Sequence, residues 1–495
     1  MGDRDPFGDL KEMEEALGNE RSLYSYDDEE PASDRGPLPK VKAKHRRKAR
    51  APGSNAELLT EDWAAQVFTG RHEGKLLFCH DSGKWHLWTG AAWVPNRCGV
   101  AFQWARELAR DLRVGEAPKV QAITSKVSFA AGVERFARVD PVFAVTIDGW
   151  DADPWLLGTP GGTVDLRTGE TRAARREDRI TKLTAVSPAA APDCPTWLRF
   201  LDEATGGDAA LIRFLRQWCG YSLTGLTREH ALVFVYGPGG NGKSVFLNVI
   251  TSILGAYATT AAMDTFTASK GDKHPTDLAM LRGARLVTSS ETEEDRGWAE
   301  ARIKQLTGGD PVSARFMRQD FFTFTPAFKL TIVGNHQPML RNVDDAARRR
   351  FNIVPFTRKP EHPDRQLEEK LRAEWPAILR WTIGGCLDWQ QNGLVRAQSV
   401  VEATDAYFAE QDLIGQWLAE KCTVRPGDTT IWERTADLYE SWSAYAKAAG
   451  ETPGTVKAFG PAMRRKGLMP YRTTQARGFS GVLLRRERPY GEHDG

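Results

Sequence analysis

The stretch Val233–Ile250, "VFVYGPGGNGKSVFLNVI", decides the class of the core. A β-branched and aromatic run leads into G-x-x-x-x-G-K-S at Gly237–Ser244, and an apolar helix-forming run follows without a break. Strand, glycine loop and helix in that order predict a phosphate-binding loop. Gly237, Gly239, Gly240 and Gly242 let successive backbone N–H groups turn inward around an anion, and the helix N-terminus adds its partial positive charge. Lys243 is placed to reach β- and γ-phosphates, and Ser244 to put a hydroxyl on Mg²⁺. The expected cofactor site is therefore Gly237, Pro238, Gly239, Gly240, Asn241, Gly242, Lys243, Ser244 and Val245, with ATP and Mg²⁺ as cofactors.

Three further motifs follow in order. "GARLVTSSETEED" contains a strand, residues 285–289, that ends at Ser290-Glu291. A carboxylate at such a strand end can polarise a water for attack on a γ-phosphate. Glu291 is the chosen catalytic acid and a metal-side group with Ser244; Glu293 and Glu294 stand close enough to replace it. "FKLTIVGNHQP" places Asn335 just past an apolar run, where a neutral amide can hold the attacking water or the γ-phosphate. "DDAARRRFNIVPF" sets Arg348, Arg349 and Arg350 before a buried strand. A guanidinium stays charged and its fork suits phosphate, so an arginine finger acting on a neighbouring subunit is the functional expectation.

Composition narrows the class. A chain of 495 residues has room for two to four domains. Lys and Arg number 67 against 65 Asp and Glu, a net charge of +2, so nucleic-acid affinity must come from local patches. The six cysteines form no CxxC, which argues against a zinc site or a disulfide framework and fits a reducing cytosol. No apolar run reaches the ~20 residues of a membrane span, and the acidic N-terminus carries no secretory signal; a cytoplasmic protein without membrane partners is expected. Residues 1–58 read as a charged tail, with seven Lys or Arg in "PLPKVKAKHRRKAR" that are either solvated or touch nucleic-acid phosphates.

"LLFCHDSGKWHLWTGAAWVPN" predicts a β-meander whose Trp85, Trp88 and Trp93 fill a core, with base stacking as the alternative. "GVAFQWARELARDLRV" is helical, "TPGGTVDLRTGETR" a hairpin, and two helices break at Gly206-Gly207. Residues 231–357 alternate short apolar runs with helices, an α/β pattern with a parallel sheet. Residues 365–421 are helical, and 424–430 read as a linker. Helix, helix and hairpin then suggest a winged helix. Residues 453–486 contain Lys457, Arg464, Arg465, Lys466, Arg472, Arg477, Arg485 and Arg486 with no acid between them, the footprint of a phosphate-binding surface or the basic face of a protein-interaction domain.

The four ATPase motifs, in this order within about 115 residues, resemble a superfamily 3 helicase. The closer resemblance is to the phage and plasmid primase-helicase family, related to the poxvirus nucleoside triphosphatase, and covers the chain from about residue 60. "IKQLTGGDPVSARFMRQDFFTFTPAFKL" looks like the superfamily's extra motif, and "DCPTWLRFL" and "TPGGTVDLRTGE" resemble the region upstream of the ATPase. The resemblance makes Gly237–Ser244 the Walker A loop, Glu291 the Walker B acid, Asn335 the sensor, and Arg349 or Arg350 the finger. Some members have two adjacent acids at Walker B; here Ser290 replaces the first, leaving Mg²⁺ to Ser244 and water. It implies a hexameric ring with an AAA+ type core and a channel β-hairpin, on which Arg315, Arg318 and Gln319 follow DNA phosphates while Phe321 and Phe322 anchor its base.

The expected architecture is α/β throughout the centre. A tail spans 1–58, a mixed α/β N-terminal domain 59–205, and a helical lead-in with an AAA+ type P-loop core 206–357. A helical segment covers 358–423, a linker 424–430, and a C-terminal winged helix 431–488. The expected activity is ATP-dependent DNA unwinding in phage, prophage or plasmid replication, on single-stranded and forked DNA, as a homo-hexamer working with a primase or replication-initiation partner. An ATP-hydrolysing initiator or loader is the first alternative, and a small-molecule P-loop kinase the second.

Overall fold

The computed structural model describes residues 59–268, 276–290, 297–318, 320–340 and 345–485; Glu291, Glu293, Glu294, Gln319, Arg486 and the tail 1–58 lie outside them.

The first layer begins with α1 (Glu61–His72), β1 (Leu76–Cys79), β2 (Lys84–Trp88), β3 (Trp93–Pro95), α2 (Val100–Leu112), α3 (Val127–Arg138) and β4 (Ala144–Val145). The strands form a sheet in the order β3-β2-β1-β4. Trp85, Trp88 and Trp93 are all buried, and the Trp85 indole N–H donates to Glu134 at 2.6 Å. They are core residues on both faces of β2: Trp85 packs with Phe78 and Phe143, and Trp88 with Trp93. A three-stranded meander follows, β5 (Leu156–Thr159), β6 (Gly162–Asp165) and β7 (Glu170–Arg172).

Two helices, α4 (Pro195–Thr205) and α5 (Ala209–Ser222), lead into the centre. Gly206 ends α4 in the left-handed region, and the Asp208 carboxylate caps α5 by accepting from the Leu211 N–H at 2.9 Å. The central elements are β8 (Leu232–Tyr236), α6 (Lys243–Leu254), β9 (Ala258–Thr260), β10 (Leu286–Ser290), α7 (Glu300–Gly308), β11 (Val312–Ala314), β12 (Phe322–Phe324), β13 (Lys329–Gly334), α8 (Asp345–Arg350) and β14 (Phe351–Pro355). Five strands form one sheet in the order β14-β8-β13-β10-β9, every neighbouring pair parallel. β8 is apolar throughout instead of alternating, and every residue of β13 is buried, Lys329 and Thr331 included, because helices cover both faces. On one face Val233, Val235 and Val354 meet Trp218, Val249, Ile250 and Ile378. On the other, Phe234, Leu330 and Ile353 meet Trp298, Ile303 and Phe408.

The covering helices are α9 (Leu367–Asn392), α10 (Gln398–Gln411) and α11 (Leu413–Lys421). The run expected to be one helix across residue 412 breaks there: the Asp412 carboxylate accepts from the Gly415 N–H at 2.9 Å and starts α11. α5 and α9 approach backbone to backbone. A Cβ on Gly220 would lie 2.1 Å from the Cys386 N, and one on Gly385 would lie 2.0 Å from the Arg216 O.

Two buried cations tie the start of the sheet to these layers. Arg285 donates to the Leu223 O at 2.6 Å and the Leu156 O at 2.7 Å. Lys329 donates to the Thr224 and Leu226 carbonyls, and burial, then the nearby Arg285 charge, holds its pKa well below the usual lysine range.

The last unit comprises β15 (Cys422–Val424), β16 (Trp432–Arg434), α12 (Thr435–Ala448), α13 (Val456–Arg465), β17 (Met469–Arg472), β18 (Arg477–Ser480) and β19 (Val482–Leu484). Its main sheet runs β16-β18-β17, and β15 pairs with β19. Its core joins Leu438, Trp442, Phe459, Met463 and Phe479 to Trp417 and Leu418 of α11, upstream of the 424–430 stretch.

Gly220→Ala forces α5 and α9 apart and is expected to cost about 3 kcal/mol, as overpacking in a close-packed core does. A urea midpoint equal to that of the unsubstituted protein would contradict the close crossing.

Candidate nucleotide site

The loop between β8 and α6 closes onto the end of β14. A Cβ on Gly237 would come 1.9 Å from the Phe356 carbonyl oxygen, and its φ of 151° is one that only glycine adopts readily. Gly242 has φ 85°, and a Cβ there would meet the Phe200 ring at 2.6 Å. Gly239 and Gly240 face open space, as a loop must where an anion lies against its backbone.

Lys243 is only 6 % exposed. Its ammonium donates to the Gly237 O at 2.6 Å, the Pro238 O at 3.1 Å and the Asn241 Oδ1 at 2.9 Å. Burial lowers its pKa from the usual 10.5. Asn241, 2 % exposed, donates its Nδ2 to the Phe356 O.

β13 lies between β8 and β10, so the Asn335 strand end sits next to the loop and the Ser290 strand end one place further. A cavity of about 380 Å³ is lined by Gly239–Val245, Ser290, Val333, Gly334 and Asn335. The structure thus brings Lys243, Ser244, Ser290 and Asn335 to one space; β10 extends to Ser290, one residue past the expected end. Ser244 is exposed there. Among the described residues, no group of three or more His, Cys, Asp and Glu is placed to hold a metal ion. A Mg²⁺ shared with phosphate oxygens at this cavity would find the Ser244 hydroxyl as a protein ligand.

The three arginines of α8 have separate environments. Arg348 pairs with Asp405 at 3.7 Å and lies over the Phe408 ring at 5.5 Å. Arg350 is half-buried and donates back to the Ala346 O of its own helix at 2.9 Å, which removes it as an outward-reaching group. Arg349 is exposed.

A second cavity, of about 390 Å³, flanks the loop on its other side. Phe200 and Ala204 of α4, Val245, and the connection Arg358–Leu367 line it, and it shares Gly240, Asn241 and Gly242 with the first. Motif reading missed it. Its walls come from segments far apart in the chain; "DCPTWLRFL", which contains Phe200, reads only as part of the region upstream of the ATPase and not as a cavity wall.

Residues 65–206 match the family described as "D5 N terminal like", and residues 235–350 match a family of unknown function (DUF5906). Two viral proteins whose names mark them as candidate helicases are similar. Protein 022R of Frog virus 3 (isolate Goorha) is 26 % identical over 280 residues, 52 % of this chain and 28 % of that protein. L207/L206 of Acanthamoeba polyphaga mimivirus is 22 % identical over 337 residues, 62 % of this chain and 34 % of that protein. The chain carries a D5 N terminal like region and is similar to viral proteins of helicase name. It spans about a third or less of the length of these curated relatives. The solved apo A form of the NrS-1 C-terminal region shares the fold, with a TM-score of 0.51 at 11 % identity, covering 85 % of this chain and 98 % of that one.

In this chain β11 and β12 pair antiparallel, Ala314 opposite Phe322, and the loop between them contains Arg315 and Arg318, the latter at φ 60°. The expected anchor role of Phe321 is corrected: it is 61 % exposed, with the Arg315 guanidinium 4.8 Å above its ring. Phe322 does pack at the base, stacked on Phe316 at 5.5 Å. In the C-terminal unit Lys457, Arg464, Arg465, Arg472 and Arg477 are exposed. Lys466 is not free for a phosphate, because it is bonded to the Asp412 carboxylate that starts α11. Arg472 and Arg477 are direct cross-strand partners; like charges facing each other cost stability unless an anion lies between them.

Among the described residues, no helix is long and apolar enough to cross a membrane.

Gly237→Ala is expected to lower stability by roughly 2–4 kcal/mol and abolish nucleotide binding, whereas Gly239→Ala, in open space, should stay within about 0.5 kcal/mol in stability. Thermal melts of the two variants side by side check this; equal melting points would contradict the closed loop.

Proposed function

We propose that the chain is an ATP-dependent DNA helicase for the replication of a phage, prophage or plasmid, acting as a ring, with an AAA+ type core and a C-terminal winged helix. The observation that carries the reading is the single cavity holding Lys243, Ser244, Ser290 and Asn335 at the ends of adjacent parallel strands. A small-molecule kinase needs a phosphate cradle too. It has no use for an exposed arginine before the edge strand, or for the basic surfaces at Arg315, Arg318 and the C-terminal unit.

In this reading the triphosphate lies along Gly237–Ser244, and the nucleoside enters the cavity beside Phe200. Lys243 leaves its loop carbonyls for the β- and γ-phosphates. Ser244, with Glu291 on the metal side, would hold Mg²⁺, which would supply neutralisation of phosphate charge when bound. Glu291 orients and deprotonates the attacking water, and Asn335 holds that water or the γ-phosphate. Arg349 is assigned as the finger for a neighbouring subunit. Arg315 and Arg318 follow the DNA backbone, and Phe321 under Arg315 adds a face on which a base can stack. Lys457, Arg464, Arg465, Arg472 and Arg477 capture the strand through phosphate contacts that release counterions. The β16-α12-α13-β17-β18 order, with its β16-β18-β17 sheet, supports the winged helix.

Lys243→Ala and Arg349→Ala are each expected to lower ATP turnover by at least ~10³-fold, the scale of a lost finger or phosphate lysine. Mixing the two variants should restore part of the turnover, since some interfaces then pair an intact loop with an intact finger. No recovery in verified mixed oligomers would overturn the assignment in trans. Failure of Lys243→Ala to impair hydrolysis would overturn the site itself.

A further inference from the structure

We propose that Asn241 is a positioning residue that parks the Lys243 ammonium against the loop's own carbonyls and yields it to an incoming triphosphate. The proposal rests on the nucleotide-site reading above and assigns a role to a side chain whose position in the motif does not specify one.

The geometry permits one orientation of the amide. Nδ2 faces the Phe356 carbonyl oxygen, and Oδ1 faces the Lys243 ammonium at 2.9 Å. Exchanging the two atoms would set an oxygen against a carbonyl and an amide N–H against an ammonium, so both contacts select the same rotamer. Pro238, Gly239 and Gly240 just before it are exposed, yet Asn241 is buried. A buried polar side chain in an exposed loop is held there by its bonds.

An ammonium has three donors. Here they meet three neutral acceptors: the Gly237 O, the Pro238 O and the Asn241 Oδ1. Two belong to the backbone, and only the third is set by a side chain. Phosphate oxygens carry charge and bond a cation more strongly than neutral amides do, so a triphosphate can take Lys243 from all three. Neutrality of the parking group is therefore the requirement. An acceptor that is too strong traps the lysine, and one that is absent leaves it loose. Because Nδ2 bonds the residue after β14, the same side chain also keeps the loop seated while Lys243 moves.

Asn241→Asp and Asn241→Ala separate parking from seating. Both lose the donor to Phe356, but aspartate also adds a negative charge that repels phosphate by itself, so weaker binding of Asn241→Asp supports parking only together with slower acetylation of Lys243 in Asn241→Asp than in Asn241→Ala. Only aspartate offers Lys243 a carboxylate. Binding of ATP and of inorganic tripolyphosphate to the full chain should therefore weaken at least tenfold more in Asn241→Asp than in Asn241→Ala. A second measurement does not depend on the aspartate variant folding: acetylation of Lys243, followed by peptide mass spectrometry, should run severalfold faster in Asn241→Ala than in the unsubstituted chain. Equal binding of the two variants, or equal acetylation rates, would overturn the proposal. Lys243→Ala is the control. If it binds tripolyphosphate normally, the nucleotide-site reading itself fails. If it loses binding while the two Asn241 variants bind alike, only the role of Asn241 fails.

Discussion

The carbonyl of Phe356 is the point on which the candidate site depends. It accepts from the Asn241 amide and lies where any side chain on Gly237 would have to go. Phe356 in turn donates its N–H to the Tyr236 O at 2.8 Å, continuing the parallel pairing of Pro355 with Tyr236. The loop is thus an extension of the sheet, fixed at both its first residue and its fifth. The other end of β14 begins immediately after Arg350. One edge strand therefore seats the loop at its end and carries the arginine helix at its start.

The remaining layers hold that sheet in place. Arg285 and Lys329, at the starts of β10 and β13, reach the carbonyls that follow α5 and the first strand of the β5-β6-β7 meander. Burying a cation without a carboxylate is costly unless oxygens surround it, and the lowered pKa of Lys329 records that cost. The Gly220–Gly385 crossing brings α9 against α5 on the same face. Register at the strand ends, where the chemistry sits, follows from these contacts.

What was legible in the sequence had signals in consecutive residues. Glycines at Gly237 and Gly242 were readable because their backbone and close contacts exclude a side chain, and β8 and the Leu330–Val333 part of β13 because burial on both faces favours apolar residues in succession. The roles of the three arginines were not legible as separate, since Asp405 and the Ala346 carbonyl sort them only after folding. Lys466 belonged to a basic run by composition, yet its partner Asp412 lies 54 residues away. Phe321 looked like hydrophobic filling; it is solvent-facing because Phe316, Phe322 and Phe324 already complete the small cluster under the hairpin. The Phe200 cavity was not legible although "DCPTWLRFL" contains Phe200, because it is made only where α4 meets the connection after β14.

With a net charge of +2, nothing in the bulk field draws the chain to nucleic acid. Any response to DNA must pass through the local basic surfaces and reach the loop through the sheet. The direct measurement is the steady-state ATP hydrolysis rate of the full chain with and without single-stranded DNA, at fixed salt. A DNA motor should hydrolyse severalfold faster when single-stranded DNA is added, with the gain falling as salt rises. Hydrolysis at the same rate with and without DNA, at low salt and saturating ATP, would contradict the coupling of this nucleotide site to strand movement.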